Sequence, residues 1–483
     1  MSPRRILVMQ LARLGDLVQT WPLLRQLREV YPEAQIGLLM DESLVDLAKF
    51  GPRLDALYPM DLKKISRLTP NRPAEAYCEL DHCLADLQAA GFDLVFNLNF
   101  SRLTLLIAYL LGAPVIGYQP VKGGREFWRE PWLAWIYGLV HDRAFSRIHI
   151  SDVFRHLVRG RETEAAHPSQ TASSKEPVIA LQLGTRHPRR TWPPENFARL
   201  AGLLIEKSGA KLRLLGTARE RALGERVNDL LKPRFRDRVL NLQGKTDLTE
   251  LAGHLREADL VVSGDTGPLH LAAALGTRVV AIFQGPASCF ETGPYGSGQA
   301  VIQAEPRCHP CRESGDECQE PLCQRLVTPE FVAEVILAGF GAKGPGSGSR
   351  IPPEVRVYES FRDGFGVNYA SCHGKPLGWI DLVGWAYRAA GARLLHHPSP
   401  RWPSRRPELS QNDLRALELL AKALQNGATE GNEPSVCKAL TPLRAFGAAL
   451  QHQAGWKEGR HSASERFREM KRALREELER FIS

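Results

Sequence analysis

The chain has 483 residues, 43% apolar and 24% charged, with a formal charge of +9 at pH 7. That length excludes a single ordinary domain, and the composition excludes a disordered or collagen-like chain. The basic balance favours anionic partners such as phosphorylated sugars, nucleotides or an anionic membrane surface, although a mildly basic soluble enzyme has the same charge.

The N-terminus, MSPRRILVMQLARLGDLVQTWPLL, has the arginines and apolar run of a signal peptide. Arg13 and Asp16 interrupt the run and no small-residue cleavage site follows, so a buried strand, Arg5–Met9, is expected there instead. A helix over Val18–Val30 follows, with Trp21, Leu24 and Leu27 on its apolar face. Strands are expected at Gln35–Met40, Phe92–Asn97 and Val115–Tyr118, and helices at Leu44–Phe50 and Ser101–Leu111. The apolar run Leu103–Leu111 is too short to span a bilayer, and a cytoplasmic location is expected.

This alternation implies a parallel sheet covered by helices, occupying residues 1–165. Arg161–Glu176 is polar and reads as a linker. The rhythm restarts in a second unit, residues 176–340, with strands at Val178–Leu183, Lys211–Leu215, Val239–Leu242, Leu260–Val262 and Arg278–Phe283. Two doubly wound units joined in this way place a cleft at the C-terminal ends of both sheets. A linker of flexible composition, Gly341–Ser349, leads to residues 350–483. Amphipathic helices at Ser410–Gln425 and Ser462–Ile482 mark that region as mainly helical, for packing or oligomerisation, and it carries no chemical motif.

Three loops at strand ends carry the chemistry. Strand Leu260–Val262 runs into SGDTGPLH, where a helix start offers unpaired N–H groups and a favourable dipole to a diphosphate, beside Asp265, Thr266, Gly267 and His270. An ordinary crossover with a capping Asp or Thr has the same local pattern. The first strand ends in Arg13-Leu14-Gly15-Asp16, where the Asp16 carboxylate either takes a proton from a hydroxyl or caps the next helix. The third loop, Gly184 to Pro193, gathers Thr185, Arg186, His187, Arg189 and Arg190. Arginine suits phosphate because its planar fork makes paired, charge-assisted bonds. Trp192 reads as a structural pin for that loop. Gly216 and Thr217 end the next strand at a place suited to a nucleotide, in an undistinguished sequence.

Together, the stretches RILVMQLARLGDLVQTWPLLRQLREVYPEAQIGLL, RRTWPPENFARLA and SGDTGPLHLAAALGTRVVAIF resemble the heptosyltransferase family, glycosyltransferase family 9, over about residues 4–338. The resemblance implies a GT-B fold: an α/β architecture of two Rossmann-like domains, an acceptor domain and a nucleotide-sugar donor domain, facing across a cleft. It implies inverting, metal-independent transfer of a heptose from ADP-L-glycero-D-manno-heptose to a lipopolysaccharide core acceptor. The implied partners are ADP-heptose and an anionic glycolipid at the cytoplasmic membrane surface, with no nucleic acid; a homo-oligomer is compatible with the helical region. By the family's motifs, Asp16 is the general base, with Arg13 and Gly15 on the acceptor side. Thr185, Gly216, Thr217, Asp265, Thr266, Gly267 and His270 fall on the donor side. The family's Lys two positions before Trp-Pro is Arg190 here, which keeps the charge and changes the geometry. A protein or other surface glycan as acceptor, and a nucleotide-sugar-binding scaffold without catalysis, are the alternative readings.

Of nine cysteines, Cys308, Cys311, Cys318 and Cys323 cluster, and a CxxC half-site suits structural zinc or iron; reduced cysteines in a loop are the alternative. The resemblance extends to protein heptosyltransferases that hold iron with four cysteines. Cys78, Cys83, Cys289, Cys372 and Cys437 read as packing residues. Lys122, Arg125, Arg129 and Arg143, interleaved with Trp128, Trp132 and Trp135, either meet an anionic glycolipid or form a solvated face over packed tryptophans.

Overall fold

The computed structural model describes residues 3–120, 126–127, 130–160, 176–186, 190–311, 318, 321–339, 352–400, 409–426, 434–454 and 460–482. The linker read at Gly341–Ser349 and all but Glu176 of the one read at Arg161–Glu176 lie outside these residues, as do Lys122, Arg125, Trp128, Arg129, His187 and Arg189.

Two sheets organise the chain. The first contains β1 (Arg5–Gln10), β2 (Gln35–Asp41), β3 (Ala56–Met60), β4 (Leu94–Asn97) and β5 (Val115–Gly117), all parallel, in the order β3-β2-β1-β4-β5. A short antiparallel pair follows, β6 (Gln119–Pro120) with β7 (Glu126–Phe127). The second sheet contains β8 (Val178–Gln182), β9 (Lys211–Leu215), β10 (Val239–Asn241), β11 (Leu260–Ser263), β12 (Val279–Phe283) and β13 (Ala300–Ala304). It is extended by β14 (Val355–Arg362) and β15 (Val367–Gly374), giving the order β10-β9-β8-β11-β12-β13-β14-β15.

The central strands are buried on both faces, which is why Ile6–Met9 and Val279–Phe283 are continuous apolar runs rather than alternating ones. Strand order reverses between β1 and β4 in the first sheet and between β8 and β11 in the second. Crevices open at such switch points, outside the carboxyl ends of the strands. The Asp16, Gly184–Arg190 and SGDTGPLH loops follow β1, β8 and β11, so the topology sends all three to switch points.

The first helix begins at Leu14, not Val18, and a second one, Trp21–Val30, follows after Thr20. Pro22 sits in the first turn of the second helix, where its missing N–H is tolerated; it has no N–H to continue the preceding ladder. Asp16 therefore lies inside a first turn rather than ahead of one.

The described residues after Trp379 lie mainly in helices, but β14 and β15, which precede them, complete the second sheet. β14 runs antiparallel to β13, with Val357 opposite Ile302, and β15 pairs antiparallel to β14. This hairpin went unread in the sequence. Beyond it, helix Trp379–Leu394 packs on the first domain: a Cβ on Gly391 would lie 2.7 Å from Trp135 Nε1 and one on Gly384 3.0 Å from Arg147 Cγ. Helix Pro434–Ala454 lies against helix Pro131–His141, where Gly138 leaves room for the Pro442 carbonyl. One continuous apolar core runs through both α/β domains and this C-terminal region.

Two surface readings are corrected by this packing. Trp132 and Trp135 are buried, Trp132 donating to Val153 O and Trp135 meeting Phe446 edge-on, so they do not face a membrane. Arg143 pairs with Glu291 (Nε to Oε2, 2.8 Å). Among the remaining cysteines, Cys78 is exposed and not a packing residue; Cys289 is buried, and Cys83 packs against a core cluster of the first domain. Among the described residues, no helix is long and apolar enough to cross a membrane.

Candidate functional site

The loop after β1 is held from below by a buried amide network. The Gln10 side chain, 1% exposed, donates through Nε2 to Thr20 Oγ1 (3.2 Å) and accepts from Asn99 Nδ2 (2.5 Å) and Ala12 N (3.3 Å). Leu11 N donates to Asn99 Oδ1 (2.7 Å). With its base fixed, the loop turns into helix Leu14–Gln19, and Asp16 is half-buried in the first turn. Arg13 N donates to Asp16 Oδ2 at 3.2 Å, so the carboxylate does cap this helix. One such bond leaves a carboxylate most of its lone-pair sites; capping and proton acceptance are compatible.

The turn after β11 is built in a similar way. Thr266 is the N-cap of helix Gly267–Ala274, its hydroxyl 2.8 Å from Ser263 Oγ and accepting from Leu269 N at 3.4 Å. Pro268 has no N–H, and Gly267 stands at the first helical position, where a backbone N–H has no partner within the helix.

The two loops touch. A Cβ on Gly15 would lie 2.9 Å from His270 Cδ2, and one on Gly267 2.7 Å from Leu14 Cδ2. Gln19 Nε2 lies 3.4 Å from His270 Nε2, both side chains being buried. The glycines on each side are what let the two helix starts approach this closely. Asp16, near one end of the sequence, is thus brought to the same cleft as the SGDTGPLH turn.

Asp265 sits between two basic groups. Arg190 Nη1 donates to its Oδ2 at 2.7 Å, and His270 Nε2 lies 3.5 Å from its Oδ1. Burial pushes the Asp265 carboxyl upward; the His270 hydrogen bond and the charges of His270 and Arg190 outweigh this and hold it below the usual carboxylate range. Arg190 and Asp265, both expected on the donor side, are joined in the structure, so the Asp265 carboxylate orients the Arg190 guanidinium.

Thr185 lies 2.9 Å from Thr191, and its methyl group would be 3.1 Å from a Cβ on Gly264, so the β8 and β11 loops are packed together. Trp192 is buried and donates to Val327 O at 3.0 Å, as a pin would. At the end of β9, Gly216 has φ +155°, and Thr217 N donates to Glu220 Oε2 at 2.6 Å. The Glu220 carboxylate occupies the space that side chains on Gly184 and Gly216 would fill. Sequence reading missed Glu220, although Thr-x-x-Glu is a capping signature. It also missed Gln10, Gln19 and Asn99, whose role depends on contacts distant in sequence.

Cys308, Cys311, Cys318 and Cys323 lie near enough for their charges to interact, and burial, then these neighbours, raise the Cys311 thiol. Among the described residues, however, no three His, Cys, Asp or Glu side chains gather closely enough to hold a metal ion. The donor chemistry suits zinc or iron; the described geometry does not assemble the ligand set.

Comparison with known proteins places this cleft in context. Residues 155–321 match the family model described as "Glycosyltransferase family 9 (heptosyltransferase)". The chain is 25% identical over 353 residues to lipopolysaccharide heptosyltransferase 2 of Escherichia coli K12, covering 69% of this chain and 98% of that protein. It is 33% identical over 144 residues to lipooligosaccharide heptosyltransferase 2 of Haemophilus influenzae, a match spanning 29% of this chain and 41% of that relative's length. Among solved structures, E. coli ADP-heptose lipopolysaccharide heptosyltransferase II aligns with a TM-score of 0.51 at 20% identity, over 69% of this chain and 98% of the other.

Proposed function

We propose that this chain, whose residues 155–321 match the family 9 glycosyltransferase (heptosyltransferase) model, moves a heptose from ADP-L-glycero-D-manno-heptose to a lipopolysaccharide core acceptor, with inversion at the anomeric carbon. The observation that supports this reading most is the contact between the Asp16 loop and the Asp265–His270 turn, which brings a carboxylate close to a helix start suited to an anion.

The chemistry then follows from charge. The acceptor hydroxyl attacks the anomeric carbon on the face opposite ADP, forming the new C–O bond as the bond to the diphosphate oxygen breaks. Asp16 takes the hydroxyl proton, and ADP leaves with the bonding electron pair. Arg190 and the Gly267 N–H stabilise the charge that grows on the diphosphate. Asp265 and His270 position Arg190. Glu220, over the glycines at the ends of β8 and β9, is suited to accept from the ribose hydroxyls.

The acceptor side is the first domain. A 330 Å³ cavity there is almost wholly apolar, formed by Leu98, Phe100, Leu133, Ile136, Val153 and Phe154 among others, beside the ends of β4 and β5. Phe100, Tyr137 and Val140 are exposed at it, an arrangement that supports a lipid-bearing acceptor and a peripheral location at the cytoplasmic membrane surface. No step runs through a metal. The thiol set stands as a proposed structural zinc or iron centre, supported if purified protein contains one equivalent of metal and removed if it contains none with all four thiols titratable.

Arg190→Ala is expected to weaken ADP binding about ten- to hundredfold by calorimetry, from loss of a charge-assisted phosphate contact, while acceptor affinity holds. Unchanged ADP affinity would take Arg190 out of the donor site.

A further inference from the structure

A second cavity, of 360 Å³, lies between the two α/β domains and the C-terminal region, away from Asp16, Arg190 and His270. One wall is Arg143–Arg147 of the first domain. Another is the end of β13 with the cysteine-bearing loop, including Arg307 and His309. The third comes from β14 and the C-terminal region, including Lys375, Trp379 and Lys438, beyond the family-model match at 155–321.

Six cationic side chains line it (Arg143, Arg147, Arg307, Arg356, Lys375 and Lys438) against three lining carboxylates, Glu305, Asp381 and Asp413, with Arg143 neutralised from outside the lining by Glu291. The carboxylates are all engaged. Asp381 accepts from Arg147 Nη2 (2.9 Å), Arg356 Nη1 (3.0 Å) and Gly378 N (2.9 Å). Glu305 accepts from Tyr358 OH (2.6 Å) and Gln303 Nε2 (2.8 Å), and Asp413 from Trp379 N (3.0 Å) and Ser410 N (3.1 Å). Arg307, Lys375 and Lys438 are exposed at the rim; Lys438 lies near the Asp142 carboxyl, while Arg307 and Lys375 make no salt bridge among the described residues. Arg147, 6% exposed, keeps a buried Nε without a hydrogen-bond partner. Trp379, Ile380 and Phe290 add flat apolar surface.

We propose that this cavity is a second anion site, taking a phosphorylated saccharide whose phosphate meets the Arg307–Lys375–Lys438 rim and whose ring lies on Trp379. Excess positive charge held over a low-dielectric wall concentrates such anions, and the half-buried Trp379 offers a sugar face an apolar platform. The same chemistry occurs in a free sugar phosphate and in the head of a phosphorylated glycolipid. The site stands independently of the donor chemistry: it shares no residue with the Asp16 cleft.

The test uses full-length protein saturated with ADP, so that the donor site is filled. Glucose 6-phosphate is titrated by calorimetry, and phosphatidylcholine vesicles containing a bisphosphorylated lipid A are used in flotation. Glucose 6-phosphate should bind wild type, and Lys375→Ala/Lys438→Ala should weaken it at least tenfold with ADP affinity unchanged. A further Arg307→Ala should abolish measurable binding. Vesicle binding lost in the same variants assigns the glycolipid head as the source; vesicle binding retained assigns the free sugar phosphate. No binding of glucose 6-phosphate to wild type, or equal binding to the variants with their melting temperature intact, overturns the proposal.

Discussion

Asp16→Asn is expected to lower the rate of glycosyl transfer by about 10²–10⁴-fold while ADP affinity and melting temperature stay at wild-type values. The size is that of a lost general base. Asparagine separates the two jobs this residue holds, because it still offers an oxygen to Arg13 N, at 3.2 Å in the native helix, but takes no proton. Asp16→Ala removes the cap as well and should cost a further ~1 kcal/mol of stability. Steady-state ADP release checks the rate, calorimetry the affinity. Near-normal turnover in the asparagine variant would leave Asp16 as a cap alone.

The largest expected effect on stability lies far from the chemistry. Arg388 and Asp363 are both fully buried and joined by two bonds, Nε to Oδ2 at 2.7 Å and Nη2 to Oδ1 at 2.8 Å. Arg388 Nη1 also donates to Arg147 O at 2.7 Å, which ties the C-terminal region to the first domain. The next turn continues the tie: Val367 N donates to Asp152 Oδ2 at 2.9 Å and Arg155 Nη2 to Phe365 O at 2.6 Å. Arg388→Ala strands a buried carboxylate and should cost about 3–5 kcal/mol, seen as a lower urea midpoint. Arg388→Met with Asp363→Leu should recover only part of that loss: the stranded charge is gone, but Phe365 N, Gly366 N and Asn368 Nδ2 lose the Asp363 carboxylate. A midpoint unchanged in the single variant would refute the account of the tie. Burial raises the Asp363 carboxyl, but the Arg388 charge more than reverses this and its folded-state value is depressed. Its contribution is therefore present above the ordinary carboxylate range, near pH 3.9 unfolded, and is lost as pH falls through the depressed value.

The sequence showed most clearly what depends on neighbours along the chain. Buried parallel strands are continuous apolar runs, so β1, β8, β11 and β12 were legible, and with them the switch points where the chemistry gathers. Asp16, Thr266 and Arg190 could be located because each lies a few residues beyond such a strand. What the sequence could not show was which long-range partner each would meet. The Arg190–Asp265 pair spans 75 residues and the Gln19–His270 contact 251, and nothing local encodes either. The hairpin of β14 and β15 was missed for a related reason. Its buried face alternates only weakly, VRVYESFR and VNYASCHG carry charged and polar residues that find buried partners, and Arg356 reads as a surface residue until Asp381 is beside it. The Gly15 and Gly267 pair illustrates the same limit: one was read on the acceptor side and the other on the donor side, and neither reading shows the docking of two helix starts that leaves no room for a side chain at either.

The central claim is that the Asp16 loop and the Asp265–His270 turn form the two halves of one transferase cleft. Its most direct test is ADP release from ADP-heptose by the purified protein, with and without a heptose-acceptor lipopolysaccharide core. The account predicts ADP production that depends on acceptor and yields the inverted glycoside. Donor that binds but is never turned over, with any surface-glycan or protein acceptor, would contradict it.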